Sequence, residues 1–344
     1  MRAVALYKYL PIDHPESLVD VELPTPTPGP RELRVRVEAI SVNPVDVKVR
    51  APKDKTEAEP RVLGWDAAGV VDAVGSDVTL FKPGDEVFYA GSIIKPGTNA
   101  ELHLVDERIV GPKPTSLSFA EAAALPLTSL TAWELLFERL GIDPGGPDQP
   151  AASGDTLLIT GAAGGVGSLA IQLAKLRTDL TVIATASRPE SIDWCRSLGA
   201  DHIIDHTKPL APQALDVIPG GVRYVASLNA TNSHFASLVE LMTPFGRLGL
   251  IDDPKEPLDI TKMKSKSLSL HWELMFTRSL YEQVDPIAQH RILKEIARMV
   301  DAGQLRTTMG KDFGPINAAN LRRAHSAIED GHTVGKIVLS GFPS

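Results

Sequence analysis

Along the first third of the chain, apolar and polar positions alternate in short runs. Met1-Arg2-Ala3-Val4, Leu33 to Ile40, Gly69 to Val74, Glu86 to Tyr89 and Ala100 to Val105 carry the two-residue period of half-buried strands. Pro24, Pro26, Pro28 and Pro30 punctuate one early loop, and Lys82-Pro83-Gly84-Asp85 reads as a tight turn, so a compact β domain is expected. From Ser118 the period lengthens. Ser118 with Glu121 three positions on reads as a capping box, Ala122 to Leu125 continue an apolar face, and a second helix is expected from about Ser129 to Leu140. Asp143 to Gly154 is dense in glycine and proline and reads as a surface loop. Beyond it, strands at Thr156 to Thr160, Thr181 to Thr185, His202 to Ile204, Val222 to Ser227 and Arg247 to Ile251 alternate with helical stretches, the order of a parallel sheet flanked by helices. Gln289 to Ala302 repeats apolar positions at helical spacing and is closed by Gly303, and Lys336 to Leu339 supplies a last strand.

Composition sharpens this picture. A chain of 344 residues exceeds the roughly 100–200 residues of one ordinary domain, so two are expected. Hydrophobic residues at 43% and charged residues at 23% suffice for sizeable cores and exclude a disordered class. The net charge of −8 has no like-charge block, which argues against nucleic acid or an anionic membrane as partner. Any phosphate must therefore be met by local groups. The first residues lack the apolar segment of a signal peptide, and no apolar run approaches the ~20 residues of a membrane span, so a cytoplasmic protein is expected. The single Cys195 permits no intrachain disulfide and no multi-cysteine metal site.

Candidate chemistry concentrates between residues 156 and 188. The strand Thr156 to Thr160 runs into Gly161-Ala162-Ala163-Gly164-Gly165-Val166-Gly167 and then a helix from Ser168 to Leu176. Glycines allow a sharp turn and close backbone approach, while amide groups at the helix start point at a pyrophosphate. The pattern departs from Gly-x-Gly-x-x-Gly by Ala162 at its first position. A strand that ends in Asp or Glu favours NADH, because the carboxylate takes the ribose hydroxyls and repels a 2′-phosphate. Here the second strand ends Thr185-Ala186-Ser187-Arg188, and His206 follows the third, so NADPH is the expected cofactor.

With Asn43-Pro44-Val45-Asp46, Gly64-Trp65-Asp66-Ala67-Ala68-Gly69, Lys82-Pro83-Gly84-Asp85-Glu86-Val87, Ala124-Leu125-Pro126, Thr131-Ala132-Trp133 and Leu198-Gly199-Ala200-Asp201, the chain resembles the medium-chain dehydrogenase/reductase superfamily. The resemblance is to its quinone oxidoreductase branch and the subgroup called zinc-type alcohol dehydrogenase-like proteins, and it covers essentially the whole chain. It implies an α/β protein with a GroES-like β-barrel catalytic domain from residues 1–127 and 278–344. A Rossmann doubly wound parallel-sheet domain is expected from 128–277. It further implies that Asn43 lies near the nicotinamide ribose, Thr131 near the pyrophosphate bound by Ala163, Gly164, Gly165 and Val166, and Asn229, Ile251 and Asp252 at strand ends facing the nicotinamide. Members commonly dimerise through an edge strand of the Rossmann sheet. The run Ser267 to Trp272 is the candidate for that strand, with burial inside the monomer as the alternative.

The residues depart from the zinc in the subgroup's name. Zinc-dependent relatives place Cys where this chain has Asn43, His where it has Trp65, and Cys or Asp within a stretch that here reads Leu125 to Thr131. No zinc site is expected. Without a Lewis acid for an alkoxide, reduction of electron-poor acceptors by NADPH is the easier chemistry, so quinones and α,β-unsaturated carbonyl compounds are the expected substrates. Tyr89 is a candidate proton donor, and Trp65, Tyr89 and Trp272 candidates for an apolar pocket. A zinc-type alcohol dehydrogenase and an NADPH-binding protein without turnover remain the alternatives.

Overall fold

In the computed structural model, which describes residues 1–145, 154–281 and 284–343, the chain divides into two units. One holds Met1–Leu130 and Phe276–Ser344, the other Thr131–Met275. The helix over Pro126–Trp133 spans the first of these divisions.

The first unit contains β1 (Arg2–Tyr9), β2 (Val19–Glu22), β3 (Glu32–Val42), β4 (Lys53–Val62), β5 (Ala67–Val74), β6 (Glu86–Tyr89), β7 (Leu102–Asp106) and β8 (Val110–Pro112). The second contains β9 (Thr156–Thr160), β10 (Thr181–Thr185), β11 (His202–Ile204), β12 (Val222–Ser227), β13 (Met242–Leu250) and β14 (Ser269–Trp272). The chain then returns to the first unit as β15 (Met309–Asp312) and β16 (Lys336–Ser340).

In the first unit a small sheet has the order β2-β1-β4, and a larger one the order β15-β16-β3-β5-β6-β8 with β7 also on β3. Strand β3 is long enough to serve two neighbours along one edge: residues 32–36 pair with β7, and residues 39–42 with β16. Ser118 and Glu121 form the expected capping box, Glu121 N–H donating to Ser118 Oγ at 3.3 Å and Ser118 N–H to Glu121 Oε2 at 2.9 Å.

The second unit is a six-stranded parallel sheet of order β11-β10-β9-β12-β13-β14. This is the doubly wound dinucleotide-binding order, with β9 and β12 at the point where the winding reverses. Strand β9, with all five residues buried, is flanked by strands on both sides, as its unbroken apolar character requires. Strand β14 is an edge of the sheet.

Two expectations shift and a third is not reached by the described residues. The helix expected over about Ser129 to Leu140 begins at Pro126, and its second half, Glu134–Arg139, is π-helical, with Leu140 N–H donating to Leu135 O at 2.9 Å. The wider turn coincides with a half-buried ionic contact, Arg139 Nε donating to Glu273 Oε2 at 2.9 Å. The strand expected over Arg247 to Ile251 starts five residues earlier, at Met242, across an irregular register and a left-handed Phe245. Most of the loop expected over Asp143 to Gly154 lies outside the described residues.

Candidate functional site

The glycine turn sits at the carboxyl end of β9. Gly161 has a φ of +63°, and a Cβ there would lie 2.9 Å from Asn229 Oδ1, so both conformation and space select glycine. Gly164 N–H donates to Gly161 O at 3.1 Å and closes the turn. Gly164 is also the extended N-cap of the helix Gly165–Arg177, and no side chain caps that start. At Gly167 a Cβ would meet Ala162 O at 2.5 Å and Ala162 Cα at 2.6 Å, so the helix rests directly on the turn. The first turn of this helix thus presents backbone donors and the positive end of its dipole, a cradle that fits a pyrophosphate.

Thr160 ties β9 to β12: its hydroxyl accepts from Leu228 N–H at 3.0 Å and donates to Asn229 O at 3.4 Å. Asn229 is therefore held at the turn, with its amide against Gly161. Ile251 and Asp252 follow β13. Both carboxylate oxygens of Asp252 accept from Thr231, one from the backbone N–H at 3.1 Å and one from the hydroxyl. Its charge sits at the start of the helix Thr231–Leu241 and complements that dipole. Thr131 is buried in the Pro126–Trp133 helix.

Thr185 pairs with Ile204, so the residues just beyond β10 and β11 lie side by side. Ser187 Oγ stands 3.2 Å from His206 Nε2, while Arg188, the N-cap of the helix Pro189–Ser197, donates from one guanidinium nitrogen to Ser191 Oγ at 3.3 Å. A second imidazole, His234, stands close enough to His206 to be held below its ordinary pKa, by burial first and by His206 second. The carboxylate in this neighbourhood, Asp205, accepts from Thr207 N–H at 2.9 Å and from the Thr207 hydroxyl at 2.7 Å, and lies 3.5 Å from Lys208. These contacts hold it below its usual range.

Asn43, Trp65 and Tyr89 belong to the first unit. Asn43 is the N-cap of the helix Pro44–Arg50 and forms a capping box with Asp46, in which Asp46 N–H also donates to Asn43 O at 3.0 Å and Asn43 N–H donates to Asp46 Oδ2 at 2.6 Å. Its amide has further partners, with Nδ2 3.5 Å from Ser41 O. Nδ2 donates to Asp66 Oδ2 at 2.7 Å, and Oδ1 accepts from Lys336 Nζ. Lys336 also donates to Val42 O at 2.8 Å and stands 3.3 Å from Asp66 Oδ2, whose other oxygen accepts from Leu127 N–H at 2.8 Å. Asn43, Asp46, Asp66 and Lys336 are all buried. Burial pushes the Asp46 carboxyl up to about 7 and the Asp66 carboxyl up to about 6. Burial lowers Lys336, with Asp66 and Asp46 opposing. Two acids share one ammonium, so the group retains a proton close to neutrality.

The Tyr89 ring stacks on His103, with centroids 5.5 Å apart, and its hydroxyl lies 3.1 Å from His103 Nδ1. His103 Nε2 is 2.9 Å from Pro96 O, a pure acceptor, so Nε2 carries the hydrogen and Nδ1 accepts from the phenol. Burial lowers His103 to about 4 and raises Tyr89, so this pair is neutral and its phenolic proton is already donated. Trp65 donates Nε1–H to Ser92 O at 3.1 Å and meets Phe276 edge-on at 6.2 Å.

Catalytic zinc needs three lone-pair donors. Asn43 turns its oxygen to an ammonium, Trp65 offers only an N–H, and Leu125 to Thr131 holds no Cys, His or Asp, so these positions do not fit the metal. Among the described residues no group of three His, Cys, Asp or Glu side chains gathers at one point. Sequence reasoning overlooked Asp46, Asp66 and Lys336 as a group, although two of them stand inside motifs already singled out. The available signal was a lone cation opening the apolar strand Lys336-Ile337-Val338-Leu339.

A strand-rich unit joined to a parallel sheet of this order, with a glycine turn at its first strand, defines a dinucleotide-dependent oxidoreductase. The chain belongs to the medium-chain dehydrogenase/reductase superfamily. Residues 29–128 match the alcohol dehydrogenase GroES-like domain, and residues 198–339 the zinc-binding dehydrogenase domain. A zinc-type alcohol dehydrogenase-like protein of Staphylococcus aureus (strain MSSA476) is 40% identical over 298 residues, 86% of this chain and 87% of that protein. A human mitochondrial NAD(P)H oxidoreductase is 35% identical over 86% of this chain and 73% of its own length. Among solved structures, a protein of Rhizobium etli CFN 42, provisionally named a zinc-dependent alcohol dehydrogenase, superposes with a TM-score of 0.94 at 53% identity, covering 100% of this chain and 99% of its own. The quinone oxidoreductase of Coxiella burnetii superposes at 0.79 with 27% identity, covering 99% of each chain.

Proposed function

We propose that this protein is an NADPH-dependent reductase that passes hydride to quinones or α,β-unsaturated carbonyl compounds without a catalytic metal. The observation that carries the reading is the group at the ends of β10 and β11, where Ser187, Arg188 and His206 offer donors and Asp205 is occupied by Thr207 and Lys208. Such a group suits a 2′-phosphate better than a bare ribose. Similarity to the human NAD(P)H oxidoreductase and to the C. burnetii quinone oxidoreductase supports the same class.

When bound, the nicotinamide supplies hydride. The chain's own work is positional. Ala163, Gly164, Gly165 and Val166 hold the pyrophosphate with Thr131 beside it, Ser187, Arg188 and His206 hold the 2′-phosphate, and Asn43, Asn229, Ile251 and Asp252 face the nicotinamide half. Trp65 contributes apolar wall for a flat acceptor. Tyr89 is poorly placed as the proton donor, since His103 already takes its hydrogen. The edge strand β14, with Trp272 and the adjoining Leu274 each 52% exposed, is proposed as the face of a homodimer. No helix among the described residues is long and apolar enough to cross a membrane, and a cytoplasmic protein is proposed.

Purified protein mixed with NADPH and a panel of quinones and enones, with and without a strong chelator, tests the reading. Acceptor-dependent oxidation of NADPH that survives chelation is expected. Inactivity across the panel sinks the reductase, and activity abolished by chelation and restored by zinc sinks the metal-free mechanism.

A further inference from the structure

The amide of Asn43 does more than its place at a helix start requires. An asparagine at an N-cap ordinarily accepts from the backbone N–H two or three residues on. Here that amide joins Lys336 and Asp66 in a buried group. The arrangement admits one orientation only: rotating the amide by half a turn would set its NH2 against an ammonium and its oxygen against a carboxylate. Fold stability is a poor reason for such a group. Removing two charges from water carries a large desolvation cost, and apolar replacements of similar volume are often as stable. Lys336 is also saturated, its three hydrogens directed at Val42 O, Asn43 Oδ1 and Asp66 Oδ2, so it has none left for a substrate.

We propose that Lys336, paired with Asp66, is a positioning residue that locks the orientation of the Asn43 amide and so fixes the polar group presented by the turn between β3 and the helix Pro44–Arg50. This assignment rests on the reductase reading, in which Asn43 faces the nicotinamide half of NADPH. With Nδ2 donating to Asp66 Oδ2 at 2.7 Å and, at 3.5 Å, to Ser41 O, the locked amide keeps Oδ1 in a fixed direction. An unlocked amide samples both orientations and presents the wrong partner part of the time.

Lys336→Met alone leaves Asp66 buried and unpaired, which endangers the fold. The informative variant is Asp66→Asn/Lys336→Met, which removes both charges while the introduced amide oxygen can still accept from Leu127 N–H. Combined with Asn43→Ala it forms a cycle, read by steady-state kinetics, by equilibrium NADPH binding and by the side-chain amide resonances of Asn43. The expected result is that Asn43→Ala lowers kcat about tenfold or more in the parent protein but less than about twofold in the Asp66→Asn/Lys336→Met background. The double variant should bind NADPH within about threefold of the parent, and its Asn43 amide protons should lose their protection from exchange. Equal losses from Asn43→Ala in both backgrounds, or an Asn43 amide equally protected in both, overturn the assignment while leaving the reductase reading in place. A parent protein that neither binds nor oxidises NADPH overturns both.

Discussion

Replacing Asp46 by asparagine separates the titration of one buried carboxyl from everything else in the fold. Asp46 is fully buried, and burial raises it from its ordinary value of 3.8 to about 7, against the pull of Asn43 N–H and Lys336. A carboxyl whose folded pKa is raised binds its proton more tightly in the folded chain, so its contribution is present at low pH and is lost as pH rises towards the folded value. Between about pH 5 and pH 7 the unfolded chain has released this proton and the folded chain has not. Stability should then fall by about 1.4 kcal/mol per pH unit, or about 3 kcal/mol across the interval, relative to a side chain that does not titrate. The amide of Asp46→Asn is such a side chain, and its oxygen can still accept from Asn43 N–H. Its NH2 would replace Asp46 Oδ1, an atom without a hydrogen-bond partner in the structure, at a cost that does not vary with pH. Urea unfolding of both proteins at several pH values checks this. The difference between their stabilities should slope over the interval and flatten above it. A constant difference would mean that Asp46 is ionised throughout, and the burial argument would fail.

Arg188→Ala should weaken NADPH binding by about tenfold or more and NADH binding much less, since the loss is one charge-assisted contact with phosphate; equal losses in fluorescence titrations would reject the phosphate site. Gly167→Ala sets a methyl 2.5 Å from Ala162 O, where backbone must move, and should destabilise the chain by about 2 kcal/mol or more and abolish dinucleotide binding. A stable variant that binds NADPH normally would show that the helix can shift from the turn at little cost. Tyr89→Phe leaves His103 Nδ1 buried without a donor and should lower stability by about 1–2 kcal/mol in thermal unfolding, and an unchanged Tm would contradict the assigned tautomer.

How far the sequence could be read differs sharply between the two units. Strands β9, β10, β11 and β12 begin and end where the pattern puts them; β9 and β10, covered on both faces, are near-continuous apolar runs bounded by turns. Strand β4 escaped the pattern. Its sequence Lys-Asp-Lys-Thr-Glu-Ala-Glu-Pro-Arg-Val is charged and mostly exposed, contains Pro60, and lies at the edge of a small sheet, where charge and proline guard against further pairing. The misfit to zinc was legible, since it depends on residue identity at motif positions. The group that fills the space was not, because Asn43 and Lys336 are 293 positions apart and neither strand pattern nor spacing relates them. The π turn at Glu134–Arg139 was hidden for a similar reason, its ionic partner Glu273 lying far along the chain.

Strand β16 also has a consequence for the order in which the protein matures. A ribosome delivers β1 to β8 first, then the whole dinucleotide-binding unit, and only afterwards the strand that must slot against residues 39–42 of β3. Until Lys336 emerges, Asp66 and the Asn43 amide have no ammonium to face, and residues 39–42 of β3 lack their neighbour on the edge that β7 only partly covers. The first unit is therefore born as an incomplete shell that waits while a separate unit of neighbouring parallel strands is made and folds. Its closing step is a long-range pairing, and a strand edge of this kind is a template for wrong pairing until it is covered.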